Sequence, residues 1–254
     1  MNAPSPLVET SRDGAVLVIT LRREHKRNAV DRQLADAMDA AFNLLDDDPA
    51  LLAGVLTGGD VAFSAGSDLA ARGDYDTERG GQYGIIRRKR AKPLVAAVEG
   101  LALGGGMEIV LACDMVVAAE DAIFGLPEVC RGVLPTCGAL FRALQALPPN
   151  VARELVLTGE PMSAGRAHAL GLVNQLTPKG RSLDAALRMA RRISENAPLS
   201  VQACLGAMNG LLAATDAAGW EATRTAYQAI VNSRDTKEGV QAFFEKRPPR
   251  WQGV

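Results

Sequence analysis

The chain alternates short, fully apolar runs with longer stretches in which apolar residues recur every three or four positions. Gly14 to Arg22 (GAVLVITLR) is β-branched and apolar and follows the turn pair Asp13-Gly14, which predicts a strand. Asp31 then stands where a helix N-cap belongs. Leu34, Met38, Ala41 and Leu45 follow at spacings of 4, 3 and 4, one face of a helix ended by Asp46-Asp47-Asp48-Pro49. Ala53 to Thr57 (AGVLT) predicts a second strand, stopped by Gly58-Gly59. Pro93 to Val98 and Met115 to Ala119 predict buried strands, with a helix from Gly106 to Ala112 between them. Such alternation is the mark of an α/β fold.

The second half has a helical pattern. Ser163 caps a short helix closed by Gly171, and Ser182 to Asn196 carries Leu183, Ala186, Met189 and Ile193 at helical spacing. Leu199 to Leu212 and Trp220 to Val231 predict two further helices. The expected division is a strand-rich core over residues 1–198 and a helical region over 199–254.

Composition narrows the function classes. A chain of 254 residues can bury a sizeable core. Its net charge of -1 excludes the chain-wide basic field of a nucleic-acid binder, so an anionic ligand must be held by local features. No apolar run approaches the ~20 residues of a membrane span. The opening MNAPSPLVET lacks the basic and apolar segments of a signal peptide. Cys113, Cys130, Cys137 and Cys204 form no C-x-x-C pair, and they are expected to be buried free thiols in a reducing cytoplasm. With only His25 and His168 available, a multi-histidine metal site is not expected.

Two glycine-containing segments carry candidate chemistry. Phe63 to Leu69 (FSAGSDL) follows the Ala53 strand, and Gly100 to Glu108 (GLALGGGME) follows the Pro93 strand. Successive glycines let a backbone approach a ligand closely, and the first N–H groups of a helix they open lack internal partners. Such donors can face a developing negative charge. Alone, the glycine run reads equally as a turn or a close helix–strand contact, and it has neither dinucleotide nor P-loop spacing. Glu108 lies in the first turn of the expected helix. Glu128 follows Pro127 in a loop, free to turn inward. Alone, each is read as a solvated carboxylate. Their apolar neighbours (Leu103, Met107, Ile109 and Leu111; Phe124, Leu126 and Val129) change that reading. Carboxyls in apolar surroundings resist ionisation, so one can act as acid while the other acts as base.

Six segments together give the chain a resemblance. HKRNAV (His25 to Val30), FSAGSDL, KPLVAAVEGLALGGGMEIVLACD (Lys92 to Asp114), FGLPEVCRGVLP (Phe124 to Pro135), LTGEPMSAGRAHALGLVN (Leu157 to Asn174) and FFEKRPPRW (Phe243 to Trp251) resemble, in order and spacing, the enoyl-CoA hydratase/isomerase (crotonase) superfamily. The resemblance implies an α/β fold of repeated ββα turns with a helical C-terminal region used in oligomerisation and coenzyme A contact. It implies homotrimers, or hexamers made of two trimers. It implies an oxyanion hole from the backbone N–H groups of Ser67 and Gly105, with the Ser67 side chain incidental. It further implies that Glu108 is the base toward a water attacking C3 of a trans-2-enoyl-CoA, and Glu128 the acid protonating C2. Coenzyme A is part of the substrate and no other cofactor is implied. Lys26, Ala29, Ala65, Gly66, Asp68, Leu69 and Lys246 match the positions that line the coenzyme A site, the lysine at the Lys246 position often reaching it from an adjacent subunit. Arg22 and Arg23 are expected to be solvated, as is Arg87 to Lys92 (RRKRAK), taken as a helix end rather than a nucleic-acid patch.

Several positions depart from the family pattern, the first two toward the coenzyme A end and the last near the catalytic water and acyl chain. Glu24 stands where proline is common, Ala70 where some hydratases carry lysine, and Thr136-Cys137-Gly138-Ala139 replaces a glycine-richer segment. Residues around Asp74 to Tyr83 and Val133 to Phe141 are expected to shape the acyl pocket. The rival readings are an isomerase, hydrolase or lyase on the same scaffold, and an idle acyl-CoA-binding protein. A serine or cysteine hydrolase is disfavoured, since neither histidine has a G-x-S-x-G partner.

Overall fold

The computed structural model describes residues 6–71 and 75–254. Asp74, one end of an expected pocket segment, lies outside the described residues. The strands are β1 (Val8–Asp13), β2 (Val16–Leu21), β3 (Ala53–Thr57), β4 (Asp76–Thr77), β5 (Gly81–Gln82), β6 (Leu94–Val98), β7 (Leu101–Leu103), β8 (Met115–Ala119), β9 (Ile123–Gly125), β10 (Met162–Ser163) and β11 (Gln175–Thr177). The helices are α1 (Arg32–Asp47), α2 (Gly105–Leu111), α3 (Ala139–Ala146), α4 (Pro149–Thr158), α5 (Ala164–Ala169), α6 (Ser182–Ser194), α7 (Pro198–Ile230) and α8 (Arg234–Glu245).

Six strands form one sheet in the order β1-β2-β3-β6-β8-β11, parallel except for the β1–β2 hairpin. A smaller sheet, β10-β9-β7, stands beside it. The chain spirals between the two. From β6 it turns at Gly100 into β7, and from β8 it turns into β9. Ser64, downstream of β3, pairs with Ala102 of β7 as a single bridge. Each turn of the spiral thus ends a large-sheet strand and delivers the next loop to the same edge. The site assembles at that edge.

Alternation along the central strands explains their unbroken apolar character, because both faces are covered. Leu17, Ile19, Leu56, Ala96, Val98 and Val116 face the main core with α1 and the small sheet. Val16, Val55, Val95, Ala97 and Val117 face α6. The expected α6 stripe is shifted. Ala185, Ala186 and Ala190 are buried, whereas Leu183, Met189 and Ile193 flank them half-buried. Small residues sit at the contact because the helix lies close on a flat strand face. Asp31 caps α1, accepting from the Leu34 N–H at 2.9 Å, and Ser163 caps α5 through the Arg166 N–H.

The helical region differs from expectation in one respect. The two predicted segments are one continuous helix, α7, of 33 residues. The stretch between them lacks an apolar face, but it also lacks proline, so nothing ends the helix. Only Leu205 and Thr223 of α7 are buried. Leu199, Met208, Leu211 and Tyr227 are exposed.

The basic run also needs correction. Arg88 is 1% exposed in its side chain and pairs with Asp39 at 2.6 Å and Asp46 at 2.8 Å. Arg90 pairs with Asp114 at 2.6 Å, and buried Lys92 donates to the Leu45 and Asp48 carbonyls. These cations tie α1 and β8 to the loop before β6, so the run is partly structural rather than solvated. Arg23 is likewise not solvated. It bonds Asp31, Asp68 and the Ala29 carbonyl, whereas Arg22 stays on the surface as expected. Among the cysteines only Cys137 is buried. Cys130 and Cys204 are exposed, and all four are free thiols. Among the described residues no single helix is long and apolar enough to cross a membrane.

Candidate active site

Three adjacent glycines open α2, and each meets a different neighbour. Gly104 has φ 55° and ψ −124°, a conformation other residues avoid, and the Glu128 carboxyl lies over it. A Cβ on Gly105 would stand 2.5 Å from the Tyr83 hydroxyl. A Cβ on Gly106 would collide with the Ser64 carbonyl. The run is therefore a close approach of three chain segments rather than a flexible turn. Observed α2 starts at Gly105, one residue before the expected start, so the Gly105 N–H is the first free donor of the helix.

The second donor comes from the segment after β3. The Val30 N–H donates to the Gly66 carbonyl at 2.7 Å and the Asp68 N–H to the Val30 carbonyl at 2.8 Å. This parallel bridge turns the intervening Ser67 N–H away from Val30. Gly66 itself, at φ 87°, lies against the Gly105 amide, where a Cβ would stand 2.6 Å from the nitrogen. Neither the Ser67 nor the Gly105 N–H is taken up by another described residue. Sequence-predicted Ser67 and Gly105 are thus brought side by side at one cavity wall.

That cavity has a volume of about 580 Å³. Both glutamates line it. Glu108 is buried on the first turn of α2, and its Oε1 accepts from the Cys137 N–H at 2.7 Å and the Ala139 N–H at 3.1 Å. Glu128 sits on the 3-10 turn Pro127–Arg131 rather than in an irregular loop, and its Oε2 is buried with no partner among the described residues. α8 holds this turn in place. The Thr236 hydroxyl donates to the Gly132 carbonyl at 2.7 Å, and Gly132 and Gly239 are pressed against the facing backbone.

Burial pushes the Glu108 carboxyl up to about 7, against the pull of the Ala139 and Cys137 amides. Burial pushes Glu128 up to about 8, and the nearby Glu108 charge adds to the rise. The two carboxyls therefore sense each other. Both rises have burial as their first cause, and the two carboxyls titrate as a coupled pair.

The remaining expected contacts divide. Lys26, Ala29, Ala65, Asp68 and Leu69 line the cavity. The Asp68 carboxylate is nevertheless engaged by Arg23 at 2.8 Å, so its side chain is a clamp on the loop. Gly66 lies beneath the lining, supporting it. Lys246 does not line this chain's cavity. It ends α8 in a left-handed conformation, exposed. Two features were missed in the sequence. One is buried Tyr83, whose hydroxyl is 2.6 Å from Ser67 Oγ. The other is Asn28, which donates to the Gly58 and Ala62 carbonyls at 2.8 Å and accepts from the Arg23 N–H. Asn28 lies inside the quoted HKRNAV motif, so a signal for it existed. Tyr83 had only its place in the expected acyl segment. Among the described residues no three His, Cys, Asp or Glu side chains gather as a metal site.

The geometry agrees with one family. A model of the enoyl-CoA hydratase/isomerase family matches residues 11–254. The chain belongs to this family. A curated relative in the enoyl-CoA hydratase/isomerase family, a carnitinyl-CoA dehydratase from Salmonella paratyphi A, is 38% identical over 98% of this chain and 99% of its own. A crystal structure of carnitinyl-CoA hydratase from Mycobacterium avium is similar with TM-score 0.93 and 43% identity, covering 98% of this chain and 99% of that one. An enoyl-CoA hydratase from Mycobacterium tuberculosis is 41% identical with TM-score 0.78, covering 98% and 100%. The repeated ββα core and helical C-terminal region are those of the enoyl-CoA hydratase/isomerase fold.

Proposed function

We propose that this protein is an enoyl-CoA hydratase, a hydro-lyase that adds water across the C2=C3 bond of a trans-2-enoyl-CoA to give a 3-hydroxyacyl-CoA. The carrying observation is the convergence of two unpaired N–H groups and two proton-retaining carboxyls on one cavity. The relatives' hydratase and dehydratase names describe one reaction in its two directions and support the same class.

The mechanism follows from the groups. The thioester oxygen accepts from the Ser67 and Gly105 N–H groups. These stabilise the enolate-like charge that develops there, each by roughly 3 kcal/mol. Glu108, steadied as a carboxylate by two main-chain donors, takes a proton from water as its oxygen attacks C3. Glu128, whose proton is held by burial and by the neighbouring Glu108 charge, delivers a proton to C2. Water supplies the hydroxyl and replaces the proton spent, so addition balances without a cofactor. Lys26, Ala29, Ala65 and Leu69 line the side assigned to the coenzyme A end. Free thiols, two of them exposed, suit a reducing cytoplasm.

A trimer, or two stacked trimers, is the assembly we assign. The exposed apolar residues of α7 favour burial against another copy, and exposed Lys246, outside its own chain's cavity, is free to approach a neighbour's coenzyme.

A panel of enoyl-CoA thioesters of differing chain length tests the reading. It should include carnitinyl-CoA run in the dehydrating direction. Hydration removes the conjugated absorbance of at least one substrate. A 3-enoyl thioester gaining that absorbance, with no hydration of any 2-enoyl chain, would instead assign an isomerase. Tight coenzyme A binding with no turnover would assign a binding protein.

A further inference from the structure

Tyr83 lines the cavity, and neither the glutamates nor the two amides account for it. It is buried, and its backbone lies at φ 56°, a left-handed conformation rarely adopted by a bulky aromatic residue. Its surroundings impose that conformation. Gly81 and Gly84, on either side, are also left-handed, at φ 65° and 75°. Gly84 is pressed onto α1, where a Cβ would stand 2.6 Å from the Asp39 nitrogen. With the turn seated on α1, the phenol is driven inward.

The hydroxyl ends beside both oxyanion residues. It is 2.6 Å from Ser67 Oγ and in contact with Gly105, which has room for no Cβ against it. The Tyr75 ring lies 6.2 Å away, centroid to centroid, and its hydroxyl donates to the Asp68 carbonyl at 3.0 Å and to that of Ala71. Two neighbouring tyrosines thus hold the loop that carries the Ser67 amide, one at Ser67 and one just beyond it. Strain concentrated at such a point marks a functional constraint.

We propose that Tyr83 is a positioning residue of the oxyanion hole, fixing the gap between the Ser67 and Gly105 N–H groups through its bond to the Ser67 hydroxyl and its contact with Gly105. This rests on the assignment of those two amides to the thioester oxygen. On this reading the Ser67 side chain is not incidental but the handle by which its amide is aimed. Tyr83 transfers no proton. Burial pushes its phenol well above the ordinary value, so the hydroxyl stays intact at any working pH.

Tyr83→Phe keeps the ring and deletes the bond, and Ser67→Ala deletes it from the other end while keeping the amide. Each is expected to lower kcat about tenfold with KM within about twofold, less than the roughly 10²–10³ lost with a whole donor. The double variant is expected to lose less than the product of the two single losses, because the bond between these side chains is already gone in each. A second measurement uses a 3-oxoacyl-CoA, whose bound enolate carries the charge the hole stabilises and has its own ultraviolet band. Both variants should bind this ligand and show less enolate than the wild type. Multiplicative losses in the double variant, a raised KM at unchanged kcat, or an undiminished enolate band in the variants would each overturn the positioning role. A wild-type protein that gives no enolate band would overturn the amide assignment, and this proposal with it.

Discussion

Glu108 and Glu128 share one cavity and one side-chain type, yet the chain surrounds them differently. Glu108 grows from a helix and receives two main-chain N–H groups from the Cys137 segment. Glu128 grows from a short 3-10 turn held by α8, and its buried Oε2 receives none. Both resist ionisation, to about 7 and about 8; two amides of the Cys137 segment oppose the rise at Glu108, whereas at Glu128 its own N–H and Arg131 oppose it and the Glu108 charge adds to it. The contrast teaches that neighbours, not the carboxyls themselves, set how readily each group holds its proton. A pair of identical groups in identical surroundings would give no such direction.

The largest test of the contrast replaces each carboxyl by its amide. Glu108→Gln and Glu128→Gln are each expected to lower kcat by roughly 10³-fold, the scale of a lost general acid or base. In steady-state assays the pH dependence should then distinguish them. Wild-type kcat/KM is expected to be bell-shaped, falling below about pH 7 as Glu108 takes up a proton and above about pH 8 as Glu128 loses one. Two flat profiles, or limbs far outside that window, would break the comparison.

A smaller effect is expected where the two regions touch. Gly104→Ala must adopt a left-handed backbone and set a Cβ 3.2 Å from Glu128 Oε1. Displacing that carboxyl while leaving Glu108 bonded should lower kcat about 10²-fold, with the protein still folded by circular dichroism. Equal loss of both pH limbs would mean that the two carboxyls move as one unit.

The smallest effect is on stability. Both carboxyls have folded-state values raised above the ordinary 4.5, so the folded protein binds more protons than the unfolded chain between about pH 4.5 and 8. Stability therefore falls as pH rises through that window and levels off above it. Either glutamine variant is expected to be more stable than wild type at pH 9, the difference vanishing below about pH 4. Denaturant unfolding at the two pH values measures this. A variant less stable than wild type at pH 9 would indicate that the charged form is favoured by the fold.

Much of this was legible along the chain. Central strands covered on both faces are continuous apolar runs, so β2, β3, β6 and β8 stood out. The caps Asp31 and Ser163 announced α1 and α5. Short strands of the small sheet did not, because two or three residues carry no period. The cations of the Arg87–Lys92 run resembled a solvated patch, since nothing in the sequence names Asp39, Asp46 and Asp114 as their partners. Arg23 was misread for the same reason.

The sequence by itself determined the α/β class, the glycines whose missing side chains permit close approach, and the two glutamates in apolar company. Those are local properties, fixed by residue type and spacing. Only the tertiary structure decided that the Ser67 and Gly105 amides stand side by side, that Cys137 and Ala139 give their N–H groups to Glu108, and that Tyr83 bonds Ser67. Each of those joins segments more than a dozen residues apart, and such a pairing exists only once the spiral of strands brings its loops to one edge.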